Sequence, residues 1–475
     1  MKIFAISCLS LLAFMSPLAT DARAENLFAP LNKVYDVDSK SNVFGVRRQG
    51  TGRMNTNLLS KIFNPDRKGV NQVPLRMLDG SQSTLQLRRQ PANNVDGIQI
   101  VSGIVDGEGH NMATLVNDNG ELRGRIWKNG KLFRLNGETN GEYRLSEISI
   151  AKMSNSSDTI TPVLSEAQKN QNQQSMAAQG NLPPEDEPID LLVLMTSKAI
   201  KDLGGREKAV AEMNLIIAET NNIYRQSGVT KSPMFRTVGV LALPWKENNN
   251  AAVDLKTWRS DIRILSIRNK LGADLVAFIT APDDYGSLCG VGYIGPGPDN
   301  AFTDPIPELG FSVSVLACML TNMVFPHEIG HNLGARHDRH IDPGKGDNHG
   351  YVNLEKEWHT VMAYPHSCLE KLKKRCKALP YFSNPGIQYE SDPIGIPGGQ
   401  ADSADNVTII RRNKRIVASY KPRADAPSTN TSSSSVNKSS TSNDVRKVGG
   451  IILESATRSR QQAKPGNGKE RVIKW

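Results

Sequence analysis

Between His327 and Asp338 the chain reads His-Glu-Ile-Gly-His-Asn-Leu-Gly-Ala-Arg-His-Asp. His327 and His331 stand four apart, so on a helix over Pro326 to Leu333 both imidazoles project from one face and can grip one ion, with Glu328 carried beside it. Gly334 is free to adopt the left-handed conformation that ends a helix, which would turn the chain back and bring in His337 as a third ligand. Three protein ligands are the mark of a catalytic Zn2+, because the fourth position is left to a water whose pKa the ion lowers toward neutrality. Glu328 is placed to take the proton of that water and later deliver it to a departing amine. The pattern therefore implies one Zn2+, held by His327, His331 and His337, and hydrolysis of peptide bonds in protein or peptide substrates. A lone His-Glu-x-x-His would be a weaker sign, since an isolated histidine is more often a satisfied core residue; the glycine and third histidine supply the specificity. His340, His349, His359 and His366 match no ligand spacing and are expected to be surface or supporting residues. Nothing in the sequence supports a structural Ca2+.

The twelve residues resemble the long zinc-binding consensus of the metzincin peptidases, which pairs with a downstream methionine turn. Thr360-Val361-Met362-Ala363-Tyr364 lies at a suitable distance. The resemblance implies that Met362 forms an apolar floor beneath the three histidines without binding zinc, and that Tyr364 offers its phenol to the metal or to the tetrahedral intermediate. Asp338, directly after the third histidine, is similar to the adamalysin/reprolysin branch and would there be a buried structural carboxylate. Tyr381-Phe382-Ser383-Asn384-Pro385 and the helical stretch Ala404 to Tyr420 resemble bacterial reprolysin-like enzymes and the peptidyl-Asp metalloendopeptidases. The likeness covers about half the chain and is strongest from Leu275 to Tyr420.

Lys2, the apolar run Ile3 to Met15 and Ala22-Arg23-Ala24 read as a secretory signal cut before Glu25. No later run reaches the roughly 20 apolar residues of a membrane span. Export to the periplasm or the extracellular medium is expected. Four cysteines follow the signal, Cys289, Cys318, Cys368 and Cys376, and an oxidising compartment favours bridging them. Of three connectivities, Cys289 with Cys318 and Cys368 with Cys376 is preferred, the latter closing a short loop past the methionine turn.

These pieces divide the 475 residues into a signal peptide (1–24), a β-rich propeptide (25–153), a linker and processing region (154–188), a catalytic domain (189–423) and a basic low-complexity tail (424–475). The propeptide reading rests on short apolar segments separated by Asp79-Gly80, Asn119-Gly120, Asn129-Gly130 and Asn140-Gly141, a hairpin pattern. It is expected to assist folding and cover the cleft, although a permanent accessory domain would carry the same pattern. No cysteine lies between Glu25 and Leu288, so any inhibition must use another group or steric cover. In the catalytic domain, strands at Leu191–Met195, Val238–Leu243 and Asp274–Thr280 alternate with helices at Glu207–Ser227 and Leu255–Lys270, giving an α/β (α+β) fold with a mixed sheet. The metzincin likeness makes this a zincin-like domain with an active-site helix. Substrate is expected to lie extended along an edge strand, with Tyr285 to Ile294 as the rim.

The net charge is +10, and the stretch from Ala424 holds nine Lys/Arg against four Asp/Glu, half of that excess. Such a tail reads as solvated chain, with an anionic surface as the sharper alternative; no nucleic-acid-binding module is recognisable. The basic loop Lys371 to Lys377 points to a preference for Asp or Glu after the scissile bond, a preference that the resemblance to peptidyl-Asp enzymes also implies. A monomer is expected. The competing reading is an exported, metal-stabilised adhesin without turnover, which would have no need of Glu328.

Overall fold

The computed structural model describes residues 26–424, apart from 38–44, 65–68, 91–97, 139, 150–157, 161–181, 244, 284–287 and 298–305. The signal segment, most of the linker and all but the first residue of the tail lie outside the described residues.

Among the described residues the N-terminal part builds a nine-stranded antiparallel sheet in the order β1-β2-β9-β8-β7-β6-β5-β4-β3. Its strands are β1 Lys33–Asp36, β2 Val46–Arg53, β3 Asn71–Arg76, β4 Gln82–Arg89, β5 Ile98–Val105, β6 Glu108–Asp118, β7 Glu121–Lys128, β8 Lys131–Gly137 and β9 Glu142–Ile148. From β5 to β9 the chain is a meander set by its turns. Asn119-Gly120 and Asn129-Gly130 place both central residues at positive φ, the type I′ geometry that matches strand twist.

The second sheet is mixed, in the order β10-β14-β15-β13-β11-β12, from β10 Thr159–Ile160, β11 Ile189–Thr196, β12 Phe235–Leu243, β13 Leu275–Thr280, β14 Gly290–Tyr293 and β15 Phe311–Val315. β12, β11, β13 and β15 run parallel, β14 is antiparallel to β15, and β10 is parallel to β14. Every residue of β11 and β13 is buried, as continuous apolar strands covered on both faces should be. The long helix Arg206–Gln226 and the helix Val324–Asn332 share one core with Leu191, Val193 and Met195, whereas Leu192 and Leu194 face helices Ala251–Arg259 and Ile262–Leu271. The single helix expected over Leu255–Lys270 is thus two. Asp261 breaks it by accepting the Arg263 backbone N–H as an N-cap, and a cap residue has non-helical dihedrals.

The N-terminal sheet rests on the long helix. Sixteen of the helix's 21 residues are buried, polar ones among them, because strands β5 to β8 cover the side turned away from the mixed sheet. Arg125 reaches Glu219 at 2.8 Å, Trp127 Nε1 donates to the same carboxylate at 2.7 Å, and Arg134 meets Glu212 at 2.7 Å.

Candidate active site

The helix Val324–Asn332 carries His327, Glu328 and His331, all buried. Its end is fixed by Gly334, which lies at φ +87° while its N–H donates to His331 O (2.8 Å) and the Ala335 N–H donates to Gly330 O (3.0 Å). That closure is of the Schellman type and reverses the chain so that His337 returns to the first two histidines. A side chain at Gly334 would also approach Asn413 Nδ2 to 2.7 Å.

The three Nε2 atoms converge at 3.0 to 3.2 Å from one another. His327 Nδ1–H donates to Val361 O (2.9 Å) and His331 Nδ1–H to Ala335 O (2.8 Å), which fixes their tautomers and leaves Nε2 lone pairs facing inward. Burial pushes His331 down to about 4, so its ring is neutral, the form that ligates. Three imidazole nitrogens this close fit a tetrahedral Zn2+, whose bonds of about 2.0–2.1 Å put ligand nitrogens about 3.3 Å apart.

Glu328 is fully buried, and neither of its oxygens has a hydrogen-bond partner among the described residues. Burial, and after it the Asp158 carboxylate, raises its carboxyl well above the ordinary range. Space for it is made by glycine. β14 lies directly against the helix, and a Cβ on Gly290 would stand 2.6 Å from Glu328 Cδ, while one on Gly292 would stand 2.9 Å from Glu328 O. Gly290→Ala is therefore expected to displace this carboxylate and cut kcat/KM at least about tenfold, with zinc stoichiometry unchanged. Unchanged kinetics would show that the carboxylate's position is not critical.

Met362 is fully buried under the helix, its Sδ facing Gly330, where an added Cβ would meet it at 2.8 Å. Asp338 is buried and is not directed at the histidines. It accepts from Tyr364 N (2.9 Å), His340 N (3.2 Å) and Ser367 Oγ (3.2 Å), tying the third-histidine loop to the methionine turn. The Tyr364 ring lies tilted against His337, with centroids 4.6 Å apart. His349 Nδ1–H holds His337 O at 2.8 Å; His340, His349, His359 and His366 all lie outside the ligand cluster. The cysteines pair as Cys289–Cys318 and Cys368–Cys376. Of the expected rim, 288–294 is described and contributes β14.

The residue that sequence reasoning missed is Asp158. Its carboxylate sits among the three histidines, with Oδ1 2.6 Å from His337 Nε2 and 3.3 Å from His331 Nε2, and Oδ2 3.4 Å from His327 Nε2. The Tyr364 hydroxyl donates to Oδ2. Burial opposes its ionisation, yet His337 and His327 hold it well below the ordinary carboxylate range. The one local signal was Asp158-Thr-Ile, an acidic residue opening a β-prone stretch inside a polar run.

A family model described as metallo-peptidase family M12B, reprolysin-like, matches residues 187–396. Curated relatives named peptidyl-Asp metalloendopeptidase come from several bacteria. The protein from Pseudomonas aeruginosa is 27% identical over 252 residues, 49% of this chain and 40% of that relative, so the chain spans well under two thirds of its length. Those from Xanthomonas campestris pv. campestris (28% identity; 66% of this chain, 70% of the relative) and Stenotrophomonas maltophilia strain K279a (27%; 85% and 93%) align more fully.

Proposed function

We propose, on the premise that residues 187–396 belong to the reprolysin-like metallopeptidases, that the chain is a secreted zinc metalloendopeptidase made as a precursor, with a zincin-like catalytic domain over 189–423. The observation that carries this reading is the convergence of three buried Nε2 atoms beside a buried carboxylate that has no partner of its own. His327, His331 and His337 hold the ion. When bound, Zn2+ supplies a water of lowered pKa and positive charge for the scissile carbonyl oxygen. Glu328 accepts the proton of the water and passes it to the leaving amine, serving as base and then as acid. Met362 supports the helix from below, and the Tyr364 phenol, once parted from Asp158, offers a hydrogen bond toward the developing oxyanion.

Substrate lies extended along β14, whose backbone would supply the pairing bonds. Four relatives named for peptidyl-Asp cleavage, together with the exposed basic loop Lys371 to Lys377, support a preference for an acidic residue after the scissile bond. Residues 25–153 act as propeptide, 154–188 as the processing region, and 1–24 as the export signal. The N-terminal sheet meets the long helix through apolar contacts and buried ion pairs. No helix among the described residues is long and apolar enough to cross a membrane, and the enzyme works as a monomer with its basic tail in solvent or on an anionic surface. An adhesin without turnover would leave the buried Glu328 without a purpose.

The test is a mixed peptide library digested by processed protein, with and without a chelator. Cleavage that stops on chelation, returns with zinc and is enriched in Asp or Glu after the cut supports the reading. Digestion that survives chelation would overturn it, and cleavage without acidic enrichment would remove the specificity alone.

A further inference from the structure

We propose that Asp158 is a fourth ligand of the active-site metal in the precursor, and that the strand it heads plugs the substrate groove; this rests on the peptidase reading above. Asp158, His327, His331 and His337 are all buried, and one ligand atom from each lies within 4.8 Å of every other. The carboxylate occupies the remaining corner of the three-histidine site, where the catalytic water belongs. A zinc with four protein ligands is a closed, structural site, so this one side chain removes the open position that hydrolysis requires.

The backbone acts in the same direction. Gly292 N–H donates to Asp158 O (3.0 Å) and Ile294 N–H to Ile160 O (3.2 Å), so Thr159 and Ile160 pair with Gly292 and Tyr293 of the edge strand. Those are donors that an extended peptide would need. The Tyr364 hydroxyl, donating to Asp158 Oδ2, is engaged as well. Asp158 thus takes up the metal corner, the edge-strand donors and the phenol together.

Placement of the plug follows from the chain. β9 ends at Ile148, ten residues before Asp158, and the sheet it belongs to is anchored on the long helix by Arg125–Glu219 and Arg134–Glu212. The plug is also joined covalently to β11, which begins at Ile189. A weak carboxylate ligand held this way acts at high effective concentration, and cutting the chain between Ile160 and Ile189 leaves it attached only through the docked sheet. Such a cut converts a closed site into an open one with no cysteine involved.

The experiment uses the full chain loaded with Co2+, whose visible absorption reports coordination, and acetohydroxamate as the probe of an open metal position. The intact wild type is expected to leave the spectrum unchanged on titration with the probe. Asp158→Ala and Asp158→Asn are expected to shift the cobalt bands and bind acetohydroxamate at least about tenfold more tightly, with thermal melting checked for each. Probe binding by the intact wild type at the affinity of the variants would overturn the proposal, even if a variant failed to fold. Identical cobalt spectra for wild type and folded variants would overturn it too. Peptide cleavage is read separately. Folded, metal-loaded Asp158→Ala protein that has also been cut between Ile160 and Ile189 and freed of the plug, yet cleaves nothing, would sink the peptidase reading while leaving the coordination result standing.

Discussion

Glu328→Gln is expected to lower kcat/KM for peptide cleavage by about 10²–10⁴-fold, the usual contribution of a positioned general base, without loss of zinc or of stability. The two halves of that expectation have separate causes. Chemistry fails because an amide cannot accept the proton of the attacking water or return it to the leaving amine. The fold and the metal survive because neither Glu328 oxygen has a hydrogen-bond partner to lose, and because the three histidines take their orientation from Val361 O, Ala335 O and the chain reversal at Gly334. Glutamine has the same shape, so the close approach of β14 at Gly290 is undisturbed. The assay is run on processed protein, with zinc counted and melting recorded for both forms. Activity within a few-fold of wild type would remove Glu328 from the mechanism; loss of zinc would make its role one of holding the site.

Local rules explain why so much of this was legible before any coordinates. His327, Glu328 and His331 are placed by helical periodicity, His337 by one glycine, and the N-terminal meander by Asn-Gly turns whose backbone few other residues tolerate. Asp158 obeyed no such rule. It lies 169 residues before His327, in a run of serines and asparagines, and only the pairing of β10 with β14 brings it to the histidines. Gly290 and Gly292 were equally silent, because a glycine that admits a helix looks in sequence like one that makes a turn. The break at Ser260-Asp261 was missed for a related reason: the apolar pattern continues through it, and the capping side chain decides. Contacts between modules are not written in periodicity at all.

Those contacts carry the other large effect. Glu219→Ala is expected to destabilise the precursor by about 3–5 kcal/mol, the cost of leaving one partner of a buried pair uncompensated. Arg125 and Glu219 are both fully or nearly fully buried (0% and 1% side-chain exposure), and Glu219 also accepts from Trp127 Nε1 at 2.7 Å. Arg125 would keep the Leu320 and Asn322 carbonyls but lose its hydrogen-bonded countercharge, with Glu212 left as a more distant one. The exposed pair Lys198–Asp202 offers the contrast, since Asp202→Ala should cost no more than about 0.5 kcal/mol. Denaturant unfolding of full-length protein measures both, and limited proteolysis reports whether the N-terminal sheet has come away from the long helix. A cost below about 1 kcal/mol for Glu219→Ala would mean that the pair is already solvated. The paired replacement Arg125→Met with Glu219→Leu should recover part of the loss, because an apolar pair of similar volume has no desolvation to repay, whereas the Trp127 Nε1–H is left without its acceptor. That recovery would separate the two tasks of the interface: apolar contact holds the sheet on the helix, whereas the charges restrict which surface it docks on and so where Asp158 arrives.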